Sequence, residues 1–357
     1  MVMETFLKAQ RELIQEAGMN MDRLWKWWAL CLSPPVVKVG TTPKETVYRE
    51  NKVSLYHYHS SASRISSVPL LIIYALINRL YILDLYPGRS FIQYLLDEGI
   101  DVFAVDWGVA GEEDRDIALD HYIEGYLDRI VKRVIQISGS PQISLFGYCI
   151  GGTLAAIYAA LHPERVRDLV LLTTPINFEE GGCLRRMVDK EYFPVDDIVE
   201  TFGNVPPWFV QAGFRLLNPL GDVSKIYNFT KHMLDEGFVQ NFLAIEKWAD
   251  DNVPFPGAAY RKFIRELYQE NRLYRGTFEI CGQRVDLRKI TASHLSVAAR
   301  DDTIVPPKAA TCIKELISSQ DSEVVVLPGG HTGVIIGGRA LKATWPRIGD
   351  WLLHRSG

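Results

Sequence analysis

Residues 147–152, Gly-Tyr-Cys-Ile-Gly-Gly, restrict what this 357-residue chain can fold into more than any other segment. Before them runs Gln142-Ile143-Ser144-Leu145-Phe146, short and largely apolar, which predicts a buried strand. After them the stretch from Thr153 to His162 is rich in good helix formers and predicts a helix. Strand, glycine-flanked turn and helix together make a sharp, strained elbow with Cys149 at its tip. Glycine is required at 147 and 151, because a side chain there would collide with the neighbouring strand or helix. The helix that follows points its positive dipole end at the sulfur, which favours the thiolate. The alternative is a buried structural cysteine in an ordinary strand-to-helix turn. The glycines and both flanks argue against it.

Two further residues complete a set in the order nucleophile, acid, histidine, the order in which an α/β-hydrolase carries its triad. Leu295-Ser296-Val297-Ala298-Ala299 predicts a late strand, followed by Arg300-Asp301-Asp302-Thr303-Ile304-Val305-Pro306-Pro307. A carboxylate in that loop stands where the acid belongs. Glu323-Val324-Val325-Val326-Leu327 is a β-branched run, and Pro328-Gly329-Gly330-His331-Thr332-Gly333 follows it. A histidine in a glycine-rich loop after the last strand stands where the base belongs. A lone loop histidine is usually a surface residue, but one that closes a Cys–Asp–His series is a functional candidate. Between the two aspartates Asp302 is preferred, because Asp301 beside Arg300 reads as a solvated local ion pair. The other histidines carry less: His57 and His59 alternate in an early strand, and His162 sits at a helix end where a cation suits the dipole. His121, His232, His294 and His354 have no motif around them.

Composition narrows the class. A net charge of −4 offers no electrostatic case for nucleic acid. Five cysteines (Cys31, Cys149, Cys183, Cys281, Cys312) are odd in number, widely spaced and without a Cys-x-x-Cys pair. That argues against a disulfide framework and against zinc, and fits a reducing, cytoplasmic compartment. Glu4, Glu12, Glu16 and Asp22 make the N-terminus unlike a secretory signal, and no apolar stretch is long enough to span a bilayer. No cofactor and no metal is expected.

The patterning predicts an α/β-hydrolase fold, a mostly parallel sheet with helices on both faces and an inserted cap. Residues near 4 to 32 read as a helix ending in Leu24-Trp25-Lys26-Trp27-Trp28-Ala29-Leu30 and stopped by Pro34-Pro35. Its tryptophans are expected to pack in the core or against helices, with a docking surface as the minor reading. Strands are expected at Val53–Tyr58, Val68–Tyr74, Asp101–Trp107 and Val166–Thr174. Helices are expected through Phe91, Leu95 and Leu96, and from His121 to Ile135. This alternation argues for a parallel sheet. Between about Pro175 and Lys289 the rhythm breaks into aromatic and proline-rich pieces such as Val205-Pro206-Pro207-Trp208-Phe209 and Val253-Pro254-Phe255-Pro256. The domain expectation is an N-terminal helical segment (1–40), a core in two parts (41–175 and 290–357) and a cap (176–289) that excludes water from the site.

Several of these pieces carry a resemblance. Gly147–Thr153, Ala159-Ala160-Leu161-His162-Pro163, Tyr81-Ile82-Leu83-Asp84, Asp106-Trp107-Gly108, Thr201–Pro207, Asp302–Pro307 and Gly329–Gly333 together resemble the catalytic subunit of polyhydroxyalkanoate synthases of the short two-component kind, class III or class IV. The resemblance runs from about Leu70 to the end and matches weakly in the first tens of residues. Single-subunit members carry a longer N-terminal domain. The resemblance implies a nucleophile at Cys149, an acid at Asp302 and a base at His331. It implies polymerisation of (R)-3-hydroxyacyl-CoA, foremost 3-hydroxybutyryl-CoA, into polyester with release of CoA. It also implies an accessory second subunit, homo-oligomerisation and a place at the surface of polyester granules.

Cysteine suits that chemistry, because attack on a thioester by a thiolate keeps the acyl group activated. A free thiol has a pKa of about 8.5, so His331 must draw off its proton. The oxyanion would sit on the backbone N–H of Ile150 and on one from the loop near Leu76-Ile77, taken as Ile77. Asp302 either orients His331 or, as the resemblance adds, helps deprotonate the incoming 3-hydroxyl. Two rival readings are a cysteine hydrolase of the dienelactone-hydrolase type, which would release a free acid, and a hydrolase-fold binding protein without activity. The aromatic insert disfavours the first and the complete triad the second.

Overall fold

The computed structural model describes residues 18–33, 35–60, 62 and 66–355. Its centre is an eight-stranded sheet in the order β1-β2-β4-β3-β5-β6-β9-β10. The strands are β1 (Lys44–Glu50), β2 (Val53–Tyr58), β3 (Leu70–Ile73), β4 (Val102–Asp106), β5 (Ile143–Tyr148), β6 (Val166–Leu172), β9 (Ser293–Ala299) and β10 (Ser322–Leu327). A short separate hairpin, β7 (Glu279–Ile280) with β8 (Gln283–Arg284), lies within the insertion between β6 and β9. β2 runs antiparallel to both its neighbours, and every pairing from β4 to β10 is parallel. Order and sense are those of an α/β-hydrolase.

The apolar runs become central strands because helices cover both faces of a parallel sheet. All six residues of β5 are buried, and so are all twelve of the helix Ile150–Leu161 packed on it. β1 was not foreseen. Its sequence, Lys-Glu-Thr-Val-Tyr-Arg-Glu, is charged and mostly exposed, as suits a sheet edge that must not recruit another strand. The helix expected from His121 begins instead as a wider π turn over His121–Leu127 and becomes α-helical over Asp128–Ser138. Gly139, at φ 71°, ends it in the left-handed conformation that glycine tolerates.

Helices fill the insertion, among them Val195–Phe202, Pro207–Leu217, Gly221–His232 and Glu236–Asp250. They lie over the C-terminal ends of the parallel strands and are fastened to the loop after β3. Val253 N–H donates to the Ile77 carbonyl at 3.1 Å, and Trp248 Nε1 donates to the Arg79 carbonyl at 2.9 Å.

The N-terminal helix is described over 18–32; residues 4–17 and Pro34 lie outside the described residues. It rests on the insertion, with Trp27 edge-on to Phe229 and Leu30 against the cluster Phe229, Met233 and Val239. The expected burial of its tryptophans is corrected. Trp25 is 67% and Trp28 55% exposed, because among the described residues the apolar cluster at Phe229 meets the face carrying Trp27 and Leu30. Among the described residues no helix is long and apolar enough to cross a membrane.

Candidate active site

Cys149 sits between β5 and its helix at φ 55° and ψ −126°, a conformation that costs a non-glycine residue about 1–3 kcal/mol. The surroundings enforce it. Cys149 N–H donates to the Leu172 carbonyl on β6 at 3.0 Å. A Cβ on Gly147 would run into the Cα of Gly152, and one on Gly151 into the Ile73 carbonyl of β3. The third glycine, Gly152, faces Thr174 as closely, a constraint that the hexapeptide contains but that local pattern does not reveal.

The other two triad candidates arrive from the ends of β9 and β10. His331 Nδ1 donates to Asp302 Oδ2 at 2.7 Å, and His331 and Cys149 line the same cavity. Asp302 is fully shielded, and its Oδ1 accepts the N–H groups of Ile304 and Val305, each at 2.9 Å. Burial alone would push the imidazole pKa of His331 down. The negative charge at Cys149 and the hydrogen bonds to Asp302 and Cys149 outweigh it and raise the group to about 10.

Asp301 is exposed, and the ion pair expected with Arg300 is not found among the described residues. Its Oδ2 instead accepts the Gly329 N–H at 3.3 Å, while its own N–H donates to the Gly329 carbonyl at 2.9 Å. The acid loop and the histidine loop are therefore stitched together beside the triad.

Tyr148 was missed by sequence reasoning. Its hydroxyl donates to the His331 carbonyl at 3.1 Å, and its ring stacks on the imidazole with centroids 5.5 Å apart. The only signal available was its place next to Cys149. Tyr74 packs on Tyr148 in turn, and its carbonyl accepts Trp107 Nε1 at 2.8 Å. Burial keeps both tyrosines neutral by raising their pKa.

Two cavities lie side by side near Cys149, sharing Ile77 and Phe214 in their walls. One, of about 310 Å³, is lined by Cys149, His331, Tyr74 and Ile77 from the core and by Phe214, Trp248, Arg215, Lys225 and Glu246 from the insertion. Lys225 and Glu246 form an ion pair at 2.7 Å in its wall. The other, of about 110 Å³, is apolar and runs between Ile150, Ile77 and the insertion residues Phe214, Phe255, Phe263 and Tyr268. Of the expected oxyanion residues, Ile77 lines both spaces and Ile150 the apolar one. Neither backbone N–H has an acceptor among the described residues. No metal-ligand grouping lies here: among the described residues the one such cluster is Glu45, His57 and His59. His162, at its helix end, bonds Glu124 at 2.9 Å, and His294 is buried in β9.

A thiol, an imidazole and a carboxylate brought together beside one mixed and one apolar cavity have the chemistry to form and transfer an acyl group. Comparisons with known proteins bear on the fold and the family. Residues 68–337 match the family described as alpha/beta hydrolase fold, and residues 36–95 match the family described as Poly-beta-hydroxybutyrate polymerase (PhaC) N-terminus. The chain is 40% identical over 352 residues to the poly(3-hydroxyalkanoate) polymerase subunit PhaC of Haloferax mediterranei, covering 98% of this chain and 72% of the relative. It is 39% identical to the protein of that name from Allochromatium vinosum, covering 96% and 95%. Among solved structures a monoacylglycerol lipase from Paleococcus ferrophilus superposes with a TM-score of 0.53 at 15% identity, covering 84% of this chain and 99% of the lipase. At that identity the likeness shows the fold alone.

Proposed function

This chain belongs to the poly(3-hydroxyalkanoate) polymerase PhaC-subunit family, and from that premise we infer that it polymerises (R)-3-hydroxyacyl groups from CoA thioesters by way of a thioester on Cys149. His331 takes the thiol proton, and the thiolate attacks the substrate carbonyl. The oxyanion is stabilised by the N–H groups of Ile150 and Ile77. Collapse expels the CoA thiolate, which leaves with the proton from His331, and the acyl group stays on Cys149. The 3-hydroxyl of the next hydroxyacyl-CoA then attacks this thioester, its proton passes to His331 and the Cys149 thiolate leaves; the chain, one ester longer and now a CoA thioester, acylates Cys149 again with release of CoA.

The observation that carries this reading is the Cys149–His331–Asp302 relay opening on a mixed cavity, with an apolar cavity beside it that shares Ile77 and Phe214. The mixed one, with Arg215 and Lys225 in its wall, suits the phosphates of CoA, and the apolar one suits the acyl chain. Of the two roles open to Asp302, orientation of His331 is favoured. Both its oxygens are already engaged, one by the imidazole and one by two backbone N–H groups, so neither faces an incoming hydroxyl. The insertion acts as the cap, keeping water from an acyl-enzyme that must be handed to a hydroxyl.

The finer partnership rests on the exposed face of the N-terminal helix. Trp25 and Trp28 favour a protein interface, so an accessory second subunit docks there, and the assembly works at the surface of its own polyester granule. Assaying CoA release together with the fate of the acyl group tests the activity. CoA with insoluble polymer is expected. CoA with soluble hydroxy acid would mean a hydrolase, and neither product a binding protein. The purified chain alone should show low activity and a lag, both corrected by the accessory subunit; full activity without lag would remove the partner from the account.

A further inference from the structure

A second grouping of reactive side chains lies at the other end of the sheet. Glu45 on β1 stands directly opposite His57 on β2, and His59 follows His57 by two residues, just past the strand end. Since side chains alternate with a period of two, all three share one face. The parity continues into β4, where Phe103 pairs with His57, and Asp101 lies two residues earlier on the same face.

The contacts resemble a ligand set. His57 Nδ1 is 3.8 Å and His59 Nε2 3.7 Å from the same carboxylate oxygen of Glu45. All three ligand atoms lie within 4.8 Å of one another. Ligands about 2.0–2.1 Å from a tetrahedral zinc stand about 3.4 Å apart, so the two distances to Glu45 need to close by a few tenths of an ångström and the separation of the two imidazoles by up to about 1.4 Å. His57 is already held for the task. Its Nε2 bonds Asp101 Oδ1 at 2.7 Å, and its ring stacks on Phe103 at 4.1 Å and an interplanar angle of 2°. A carboxylate on the far nitrogen fixes the tautomer that leaves Nδ1 as a lone pair, the usual support of a metal-bound histidine. Glu45 supplies a negative charge, and the partial exposure of Glu45 and His59 leaves a fourth position for water.

We propose that Glu45, His57 and His59 form a divalent transition-metal site of the zinc class, with Asp101 as the group that orients His57. The ion would clip the edge strand β1 to β2. It lies near the N-terminal end of β4, whereas Cys149, Asp302 and His331 all follow the C-terminal ends of parallel strands, so it takes no part in acyl transfer.

The experiment titrates zinc into the full chain, stripped with a chelator and carrying Cys149→Ala so that the reactive thiol does not compete. Calorimetry should find one saturable site whose loading raises the melting temperature. His59→Ala, at an exposed position that tolerates truncation, should abolish that site and the thermal shift. Glu45→Gln should weaken binding by at least tenfold, and Asp101→Asn by about tenfold. Absence of saturable binding overturns the proposal. So does binding that persists unchanged in His59→Ala, which would assign the zinc to exposed thiols such as Cys31 or Cys183.

Discussion

Every residue of β5 and of the helix Ile150–Leu161 is buried, whereas the helix Pro207–Leu217 in the insertion buries none of its eleven. Around that helix Trp208, Leu216, Val223 and Tyr227 are all exposed. The two regions meet at one reacting atom with different duties. A strained backbone at Cys149 persists only where its surroundings over-determine it, and the interlocked core does so. The insertion has no such task. It supplies walls, Phe214 and Trp248 among them, and is held to the core at a few points such as Trp248 to Arg79. Few buried residues over Pro207–Leu217 make that helix the part expected to open at low cost. The core should therefore decide whether the reaction occurs, and the cap what enters.

The sharpest way to break that division is to remove the reacting groups. Cys149→Ala should lower CoA release from 3-hydroxybutyryl-CoA at least about 1000-fold with an unchanged circular-dichroism spectrum, since no other group there can hold the acyl chain. Substantial turnover, or equal damage from Cys183→Ala or Cys281→Ala, would refute the assignment. His331→Ala should likewise block acylation. Asp302→Asn should leave part of it, because the base remains, and trapping labelled acyl-enzyme separates the two.

Acid should find the core before the cap. Burial, with Lys314 nearby, holds His294 on β9 down at about 4, against 6.5 in an unfolded chain. Between those values the unfolded state binds the extra proton, so stability falls as pH drops below 6.5 and is fully retained above it. The loss from pH 7 to pH 5 should be on the order of 2 kcal/mol in urea unfolding, and His294→Asn should flatten that slope. An equal slope in the variant would place the acid sensitivity elsewhere.

Smaller effects sharpen the comparison. Tyr148→Phe keeps the ring against His331 but loses the hydroxyl tie, worth about 1 kcal/mol. A fall in kcat of about fivefold at constant KM, with a shifted pH profile, is expected of a positioning residue. A change in KM alone would contradict it. Phe214→Ala, in the wall shared by both cavities, should instead favour longer acyl substrates over 3-hydroxybutyryl-CoA by about threefold, read from kcat/KM ratios. A uniform loss across substrates would remove the cap from specificity. Asp301→Asn should do least, under about 0.5 kcal/mol in either stability or activation, since the amide oxygen can still accept from Gly329.

Local pattern carried the elbow, the strand-loop placement of Asp302 and His331 and the parallel sheet, because each depends on backbone sterics or side-chain periodicity within a few residues. Strand ends moved by at most two residues, and the charged edge strand β1 escaped, since its exposed faces leave no apolar alternation to read. The tryptophans of the N-terminal helix were assigned to packing, yet burial depends on which face meets Phe229, and composition does not encode that.

By itself, then, the amino-acid sequence determined the fold class, the family and the order in which three reactive side chains follow one another. Tertiary structure alone decided which groups touch: Tyr148 reaching a carbonyl 183 residues away, Asp301 tying two loops, and Glu45 standing opposite His57. Chain order survives in a string of residues because the elements that carry it are local. Contacts between strands depend on register and loop closure, which are settled only when the sheet packs as a whole.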